Sequence, residues 1–339
     1  SRIMDGATTS ANVEAHARLV AKRSRQRKVR AAAAELANGP SRAPEEVQAI
    51  VDRMAQAAKA TDAARAPLHV SHKLDRLFTQ GPQPALPLGL DCLRDLEVNP
   101  GHMLTVGARP GEGKTAFLGT VALAASREEW DVLFLSLEMP SLEIQQRLAA
   151  GIGGIPLGEV KRAENPDLLK AVKHLQALSI WVEDGNEEPR IALDLEGIGA
   201  LVRAFAASSD NPRKAVLVDY LQFVRTRARF ERRHEAVAHI CRELKRLAVS
   251  TNVALVVAAQ LSRAVEQRGK DAKPQMADLA ESSEAEKTSD KILFIHRDKE
   301  VEGRTLLRVA KNRQGPCWAS EAYFNGPLCL FYDQGGDWR

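Results

Sequence analysis

Cysteine is scarce: Cys92, Cys241, Cys317 and Cys329 are the only four in 339 residues. None stands at the paired spacing of a zinc site or a redox couple. A disulfide framework is excluded, and reduced, mostly buried thiols are expected. Long apolar runs are missing too. No stretch approaches the roughly 20 residues that cross a bilayer as a helix, and the first residues lack the apolar heart of a secretion signal. A soluble, cytoplasmic protein without membrane attachment is expected. His69 and His72 form an H-x-x-H pair, but no further ligand lies near it, so no metal site is expected there. There is neither an internal repeat nor a low-complexity tract. What remains is a hydrophobic content of 44%, charged residues at 27% and a net charge of +4. That suffices for a real core, and the mild basicity permits a polyanionic partner without requiring one.

The first third of the chain differs from the rest. Residues 11–37 are alanine-rich, free of proline and glycine, and end before Asn38-Gly39-Pro40, which reads as a helix with its stop signal. A second helix is expected after Pro44, with Glu45 and Glu46 in its first turn and Val47, Ile50, Val51 and Met54 on one face. The basic cluster Arg18, Lys22, Arg23, Arg25, Arg27, Lys28 and Arg30 reads as a solvated helix face in preference to a nucleic-acid contact. Residues 61–88 hold several prolines and form a connecting arm.

From residue 102 short apolar, β-branched runs alternate with helical patterns. Strands are expected at 102–108, 131–137, 179–184, 214–219, 253–259, 291–296 and 305–310, with a late pair near 320–324 and 328–332. Helices are expected at 114–127, 141–151, 193–208 and 233–250. Such alternation predicts an α/β fold, a mostly parallel sheet covered on both sides, which the late pair extends in antiparallel fashion. The organisation is a helical segment over 1–65, an arm over 66–101 and a core over 102–339.

The core opens on a strand, the run Ala108-Arg109-Pro110-Gly111-Glu112-Gly113-Lys114-Thr115, and then a helix. That context turns a common pattern into a phosphate cradle. Gly111 and Gly113 let consecutive N–H groups point at phosphate oxygens, helped by the positive end of the helix. Lys114 reaches the β- and γ-phosphates of a nucleotide, and Thr115 offers a hydroxyl to Mg²⁺. Ala108 stands where glycine is more usual, a place that needs only a small residue.

Three strand ends supply the rest. KAVLVDY ends in Asp219, whose carboxylate can hold Mg²⁺ at the ligand-binding edge of a parallel sheet. LFLSLEMP carries Glu138, placed to orient and deprotonate an attacking water, or else simply to open the next helix. VALVVAAQLSR ends in Gln260, whose neutral amide can sense a γ-phosphate, or else merely cap its strand.

The phrases ARPGEGKTAF, FLSLEMPSLEIQQRL, VDYLQF, VAAQLSRAVEQR and VAKNRQGP, in this order, resemble the C-terminal motor domain of the DnaB-type replicative helicases, from about residue 86 onward. SANVEAHARLVAKRSRQRKV resembles the linker helix of that family; the helical domain that precedes it there is not matched. The resemblance implies a RecA-like P-loop ATPase core that works as a hexameric homo-oligomer, uses ATP and Mg²⁺, translocates on single-stranded DNA with 5′→3′ polarity, and partners a primase or helicase loader.

It further implies that Glu138 is the catalytic base, that Lys114 and Thr115 serve nucleotide and magnesium, and that Arg147 lies near the phosphates. Asp219 matches the Walker B aspartate, and Gln260 links nucleotide state to a DNA-facing loop. Lys311 and Arg313 match the pair inserted into the neighbouring subunit's site, where such a finger contributes about 10³–10⁵ in rate. Two segments are expected to face the DNA. One is QFVRTRARFERR, with Arg225, Arg227, Arg229, Arg232 and Arg233. The other carries Glu281 and Ser283 in Asp278-Leu279-Ala280-Glu281-Ser282-Ser283. There the family has arginine and glycine in place of Ala280 and Ser283, so one phosphate contact is missing. A RecA-fold ATPase that binds or loads on DNA without unwinding it, and a ring held together by nucleotide, are the alternative functions.

Overall fold

The computed structural model describes residues 84–186, 192–262, 268, 272–279, 283–298 and 300–333. All of them belong to one unit, Pro82–Arg339. The two helices expected in the first third, the basic cluster and the H-x-x-H pair lie outside the described residues.

Apolar runs become strands, and the segments between them become helices. In chain order the elements begin β1 (Met103–Ala108), α1 (Lys114–Arg127), β2 (Asp131–Ser136), α2 (Ser141–Gly153), α3 (Leu157–Arg162), α4 (Leu168–Gln176) and β3 (Ile180–Glu183). They continue with α5 (Leu195–Ala207), β4 (Lys214–Asp219), α6 (Arg233–Thr251), β5 (Ala254–Gln260) and α7 (Ser283–Thr288). Four strands close the chain: β6 (Lys291–Arg297), β7 (Arg304–Asn312), β8 (Ala319–Asn325) and β9 (Leu330–Tyr332). All nine form one sheet in the order β3-β2-β4-β5-β1-β6-β7-β8-β9.

From β3 to β6 every pairing is parallel. Parallel neighbours need long crossovers, which put helices over the sheet faces and bury the strands on both sides. Accordingly β1, β2 and β4 are buried at every position. Pairing turns antiparallel at β6–β7 and stays so to β9. The antiparallel part therefore begins one strand earlier than expected. The alternating burial of Arg304 to Val309 explains why: one face of β7 looks outward, as an uncovered antiparallel strand requires.

Two cores flank the sheet. One packs Phe117, Val121, Trp130, Ile144 and Leu148 against one face, and the other packs Ile198, Val202, Ile240 and Leu244 against the opposite face. β9 curls back under α1, where Phe331 N–H donates to Thr120 Oγ1 at 3.0 Å and the Phe117 and Phe331 rings meet edge to face. Helices α3, α4 and α7 were not expected. α3 and α7 span only six residues each, and Gly153, Gly154, Pro156 and Pro166 around α3 and α4 read as loop. Yet Leu168, Val172 and Leu175 do stand at helical spacing.

Of the cysteines, Cys241 and Cys329 are buried, Cys92 is half-buried and Cys317 is exposed; all four are free thiols. The expectation of mostly buried thiols thus holds for two. Cys317 follows Pro316 in the connection between β7 and β8. Among the described residues no helix is long and apolar enough to cross a membrane.

Candidate nucleotide site and DNA-facing loop

The C-terminal edge of the parallel strands carries the expected groups. Between β1 and α1 the chain turns through Gly111 at φ 76° and Gly113 at φ 97°, backbone that side-chain-bearing residues rarely adopt. A Cβ at Gly113 would also come within 3.0 Å of the Phe331 ring. Lys114 is buried and its ammonium folds back over the loop, donating to the carbonyls of Ala108 at 3.3 Å and Arg109 at 3.2 Å. Burial pulls its pKa down, opposed by the charges of Asp219, Glu138 and Glu112. Glu112 turns inward, where its carboxylate accepts from the Arg109 amide at 3.4 Å, and Pro110 stays exposed.

Thr115 and Asp219 meet across 104 residues of sequence: the hydroxyl donates to Asp219 Oδ2 at 2.6 Å. The other oxygen, Oδ1, is buried without a partner among the described residues. Asp219 is 1% exposed, and burial pushes its carboxyl above the usual range, although the Thr115 hydroxyl and the Lys114 charge pull the other way. Leaving a buried acceptor unmet costs about 1–3 kcal/mol. Such a cost at a strand tip marks a place shaped for something other than stability.

Glu138 sits two residues beyond Ser136, the partner of Asp219 in the β2–β4 register. Leu137 N–H donates to the Asp219 carbonyl at 2.8 Å, and Ser136 Oγ donates to the Met139 carbonyl at 2.6 Å. These bonds hold the turn that carries Glu138, whose side chain is exposed. Arg147, on α2, donates to Cys329 Sγ at 3.6 Å, and its Nε is buried without a partner among the described residues. Its positive charge acts on Asp219, so it belongs to the same cluster.

Gln260 lies level with Ala108 in the β1–β5 register. Its main chain is gripped by a residue to which no role was given. Gln222 accepts from the Gln260 amide and donates to the Gln260 carbonyl, each at 3.0 Å. The β4–β5 pairing stops at Val218 and Val257. The Gln222 side chain thus acts as a surrogate peptide group that rejoins the strands after they part. The segment beyond Gln260 is tied back as well, since Ser262 N–H donates to the Asp278 carbonyl at 2.8 Å.

The arginine-bearing segment after Asp219 borders a cavity of about 1000 Å³ that does not lie over the phosphate loop but stretches from Tyr220 to Ser262. Arg225 and Arg229 are exposed, and among the described residues neither has an ion-pair partner. Arg227 differs: it pairs with Asp194 at 2.7 Å, the residue that caps α5. Ser283 opens α7, and Glu281 lies outside the described residues.

Lys311 and Arg313 are not brought to this edge. Lys311 stands level with Ile292, and Arg313 N–H donates to the Asp290 carbonyl beside Met103. Arg313 is therefore one strand length, about 17 Å, from Ala108 along the sheet. Its guanidinium donates to Asp290 Oδ1 at 3.3 Å and to the Lys287 carbonyl at 2.5 Å. Lys311 donates to the Glu286 carbonyl, and burial, then the neighbouring Arg313 charge, lowers its pKa.

The sequence model of the DnaB-like helicase C terminal domain matches residues 94–333. The chain belongs to that family. Replicative DNA helicase DnaB of Haemophilus influenzae is 32% identical over 242 residues, which cover 69% of this chain and 52% of the relative. A probable plasmid replicative DNA helicase of Chlamydia psittaci is 29% identical over 280 residues, covering 79% and 58%. The chain thus spans about half the length of the curated relatives it matches.

The solved ATPase domain of G40P superposes with a TM-score of 0.72 at 26% identity, over 79% of this chain and 99% of that one. A DnaB-like replicative helicase solved for its interactions with primase gives 0.75 at 23% identity, over 97% and 80%, and bears on the fold alone. The core is therefore a RecA-like fold of the DnaB-like kind. Within it, Tyr220, Gln222, Cys329 and Phe331 are the site neighbours that the sequence did not single out. The Tyr220 ring lies 5.7 Å from the Lys114 ammonium. Gln222 alone gave a signal, as the amide three residues after Asp219.

Proposed function

We propose that this chain is the motor of an ATP-driven, ring-forming DNA helicase that translocates on single-stranded DNA. The observation that carries the reading is the split of the site between opposite sheet edges. Thr115, Asp219, Lys114 and Glu138 converge at one edge, while Lys311 and Arg313 sit a strand length away, where they can serve only another copy's phosphate loop. A homo-oligomer, a hexamer by family resemblance, follows from that split.

The phosphate loop, Ala108 to Thr115, binds the phosphates of ATP through its N–H groups and Lys114. The donor set at the strand tip fits magnesium: among the described residues Asp219 Oδ1 is buried without a partner beside the Thr115 hydroxyl, and hard oxygen donors are what that ion takes. Bound magnesium supplies Lewis acidity toward the phosphate oxygens. Glu138 orients the attacking water and accepts its proton, and Arg147 steadies phosphate charge. Arg313 and Lys311 of a neighbouring subunit meet the charge that develops in the transition state.

Gln260 senses the γ-phosphate and passes its state through Gln222 to the loop holding Arg225, Arg227 and Arg229, with Glu281 and Ser283 completing the DNA face. A primase or a helicase loader is the expected protein partner. The work is done in the cytoplasm.

The test is a mixing experiment. Arg313→Ala and Lys114→Ala should each lack hydrolysis, and a mixture should regain part of it, because each supplies what the other lacks across an interface. Absence of any rescue overturns the shared site. A forked duplex with a 5′ tail then separates unwinding from mere DNA-stimulated hydrolysis.

A further inference from the structure

Lys291 opens β6 almost wholly enclosed, at 1% exposure, yet the chemistry just described gives it no task. Burial lowers its pKa, opposed by the charges of Asp290 and Glu97. An ammonium is costly to bury unless it is well paired, and an apolar side chain of similar volume is often as stable in such a place. Among the described residues its hydrogen-bond partner is a neutral amide: Lys291 Nζ donates to Gln314 Oε1 at 2.8 Å. The nitrogen of that amide meets His102 Nε2 at 3.2 Å. Gln314 is exposed and follows Arg313 directly.

Two further features aim the turn that carries Arg313. The β6–β7 register shifts between Ile292 and Leu293, leaving Ala310 on β7 unmatched. Such a bulge bends a strand and re-aims the side chains beyond it. Leu307 and Val309 pack into one core, whereas Lys311, two residues on, donates to the Glu286 carbonyl beside Ala285, which belongs to the other core. Past the bulge Asn312 braces the turn from within. Its Oδ1 accepts from the Gln314 main-chain N–H and its Nδ2 donates to the Pro316 carbonyl, each at 3.2 Å. The Arg313 guanidinium meanwhile rests on Asp290 and the Lys287 carbonyl of its own subunit. To serve a neighbour it must let go of both. The main chain beneath it then needs a support that does not leave with it, and the Lys291–Gln314 bond is independent of either contact given up.

We propose that Lys291 is a positioning residue for the shared nucleotide site: through Gln314, which His102 backs, it holds the turn in place while Arg313 crosses to the phosphates bound by the neighbouring subunit. The inference rests on the shared-site reading above and adds to it the part that aims the arginine.

The test is steady-state ATP turnover by the full chain and its mixtures. Lys291→Met, which keeps the volume and removes the charge, should lower kcat about tenfold through misplacement of Arg313. The KM for ATP should stay as it is, because the phosphate loop lies at the other edge. One-sided rescue is the deciding readout. Mixed with Lys114→Ala, which lends an intact Arg313, Lys291→Met should gain turnover beyond the average of the separate chains. Mixed with Arg313→Ala, which has none to lend, it should gain nothing. A residue that merely stabilises the fold gains from both partners or from neither, and either result overturns the positioning role. Gln314→Ala, made on the exposed side of the same contact, should show the same pattern and decides the matter where Lys291→Met does not fold. If Lys114→Ala and Arg313→Ala mixed together show no rescue, the shared site itself falls, and this inference with it.

Discussion

Asp219 and Asp290 are both buried aspartates at the ends of one sheet, and their carboxyl groups are shifted in opposite directions. At Asp219 burial wins over the Thr115 hydroxyl and the Lys114 charge, so the pKa rises. At Asp290 burial also pushes upward, but the Lys245 ammonium at 2.6 Å and the Met103 amide at 2.8 Å outweigh it, so the pKa falls. One edge leaves an oxygen unmet, and the other pairs what it buries. The first edge is shaped for a ligand and gives up stability for it, while the second holds β1, α6 and the residues after β7 together. Arg313 takes part in the second arrangement through Asp290 Oδ1, so its release toward a neighbour would cost that contact while Lys245 keeps Oδ2.

The comparison breaks first at Asp219. Asp219→Asn should lower nucleotide turnover by about 10³-fold through loss of a metal-holding charge, yet raise the melting temperature of the ligand-free chain. A calorimetric scan beside a steady-state assay checks both, and a less stable variant would mean that the carboxylate is satisfied after all. Asp290→Ala should do the reverse, costing about 3 kcal/mol of stability by stranding Lys245, as read by urea unfolding.

The signs with pH follow from the two directions. Stability due to Asp290 is fully present above the unfolded carboxyl value of about 3.9 and is lost as pH falls through its lower folded value. The penalty due to Asp219 is fully present above its raised folded value and disappears as pH falls through it. On acidification the deficit relative to Asp219→Asn should therefore vanish at a higher pH than the advantage over Asp290→Asn.

A smaller effect sharpens the comparison within the ligand edge. Gln222→Glu places a carboxylate against the Gln260 carbonyl, and the ratio of DNA-stimulated to basal ATP turnover should fall about tenfold, the size of one buried polar pair lost. An unchanged ratio would leave Gln222 as a structural tie only. Smallest of all, Arg229→Ala should flatten the salt dependence of DNA binding by about one phosphate contact. Arg227→Ala should change it less, because that guanidinium already faces Asp194. Titrating affinity against salt distinguishes them.

Much of the ligand edge was legible because each of its groups closes a hydrophobic run. A parallel strand buried on both faces must end where water begins, so Ala108, Asp219 and Gln260 had to emerge at one edge once their strands ran parallel. The antiparallel turn at β7 was legible only in part, since Leu306 on its outward side stands beside the buried Leu307 and blurs the alternation in the sequence. Helices α3 and α4 were hidden by flanking glycine and proline despite a visible leucine stripe. Cys329 and Phe331 could not be placed beside the nucleotide edge from sequence, because only the curl of β8 and β9 under α1 brings them there.

The order of residues by itself determined the strands, the phosphate turn and the identity of the groups at each strand end, since these follow from local periodicity and from backbone angles that only glycine accepts. Tertiary structure alone decided which of those groups are satisfied. Whether Asp219 keeps an oxygen unmet, whether Arg313 finds Asp290, and whether Lys291 reaches Gln314 are matters of distance between residues far apart in the chain. Electrostatic energy depends on that distance and on the water excluded around it, and neither is written in the sequence.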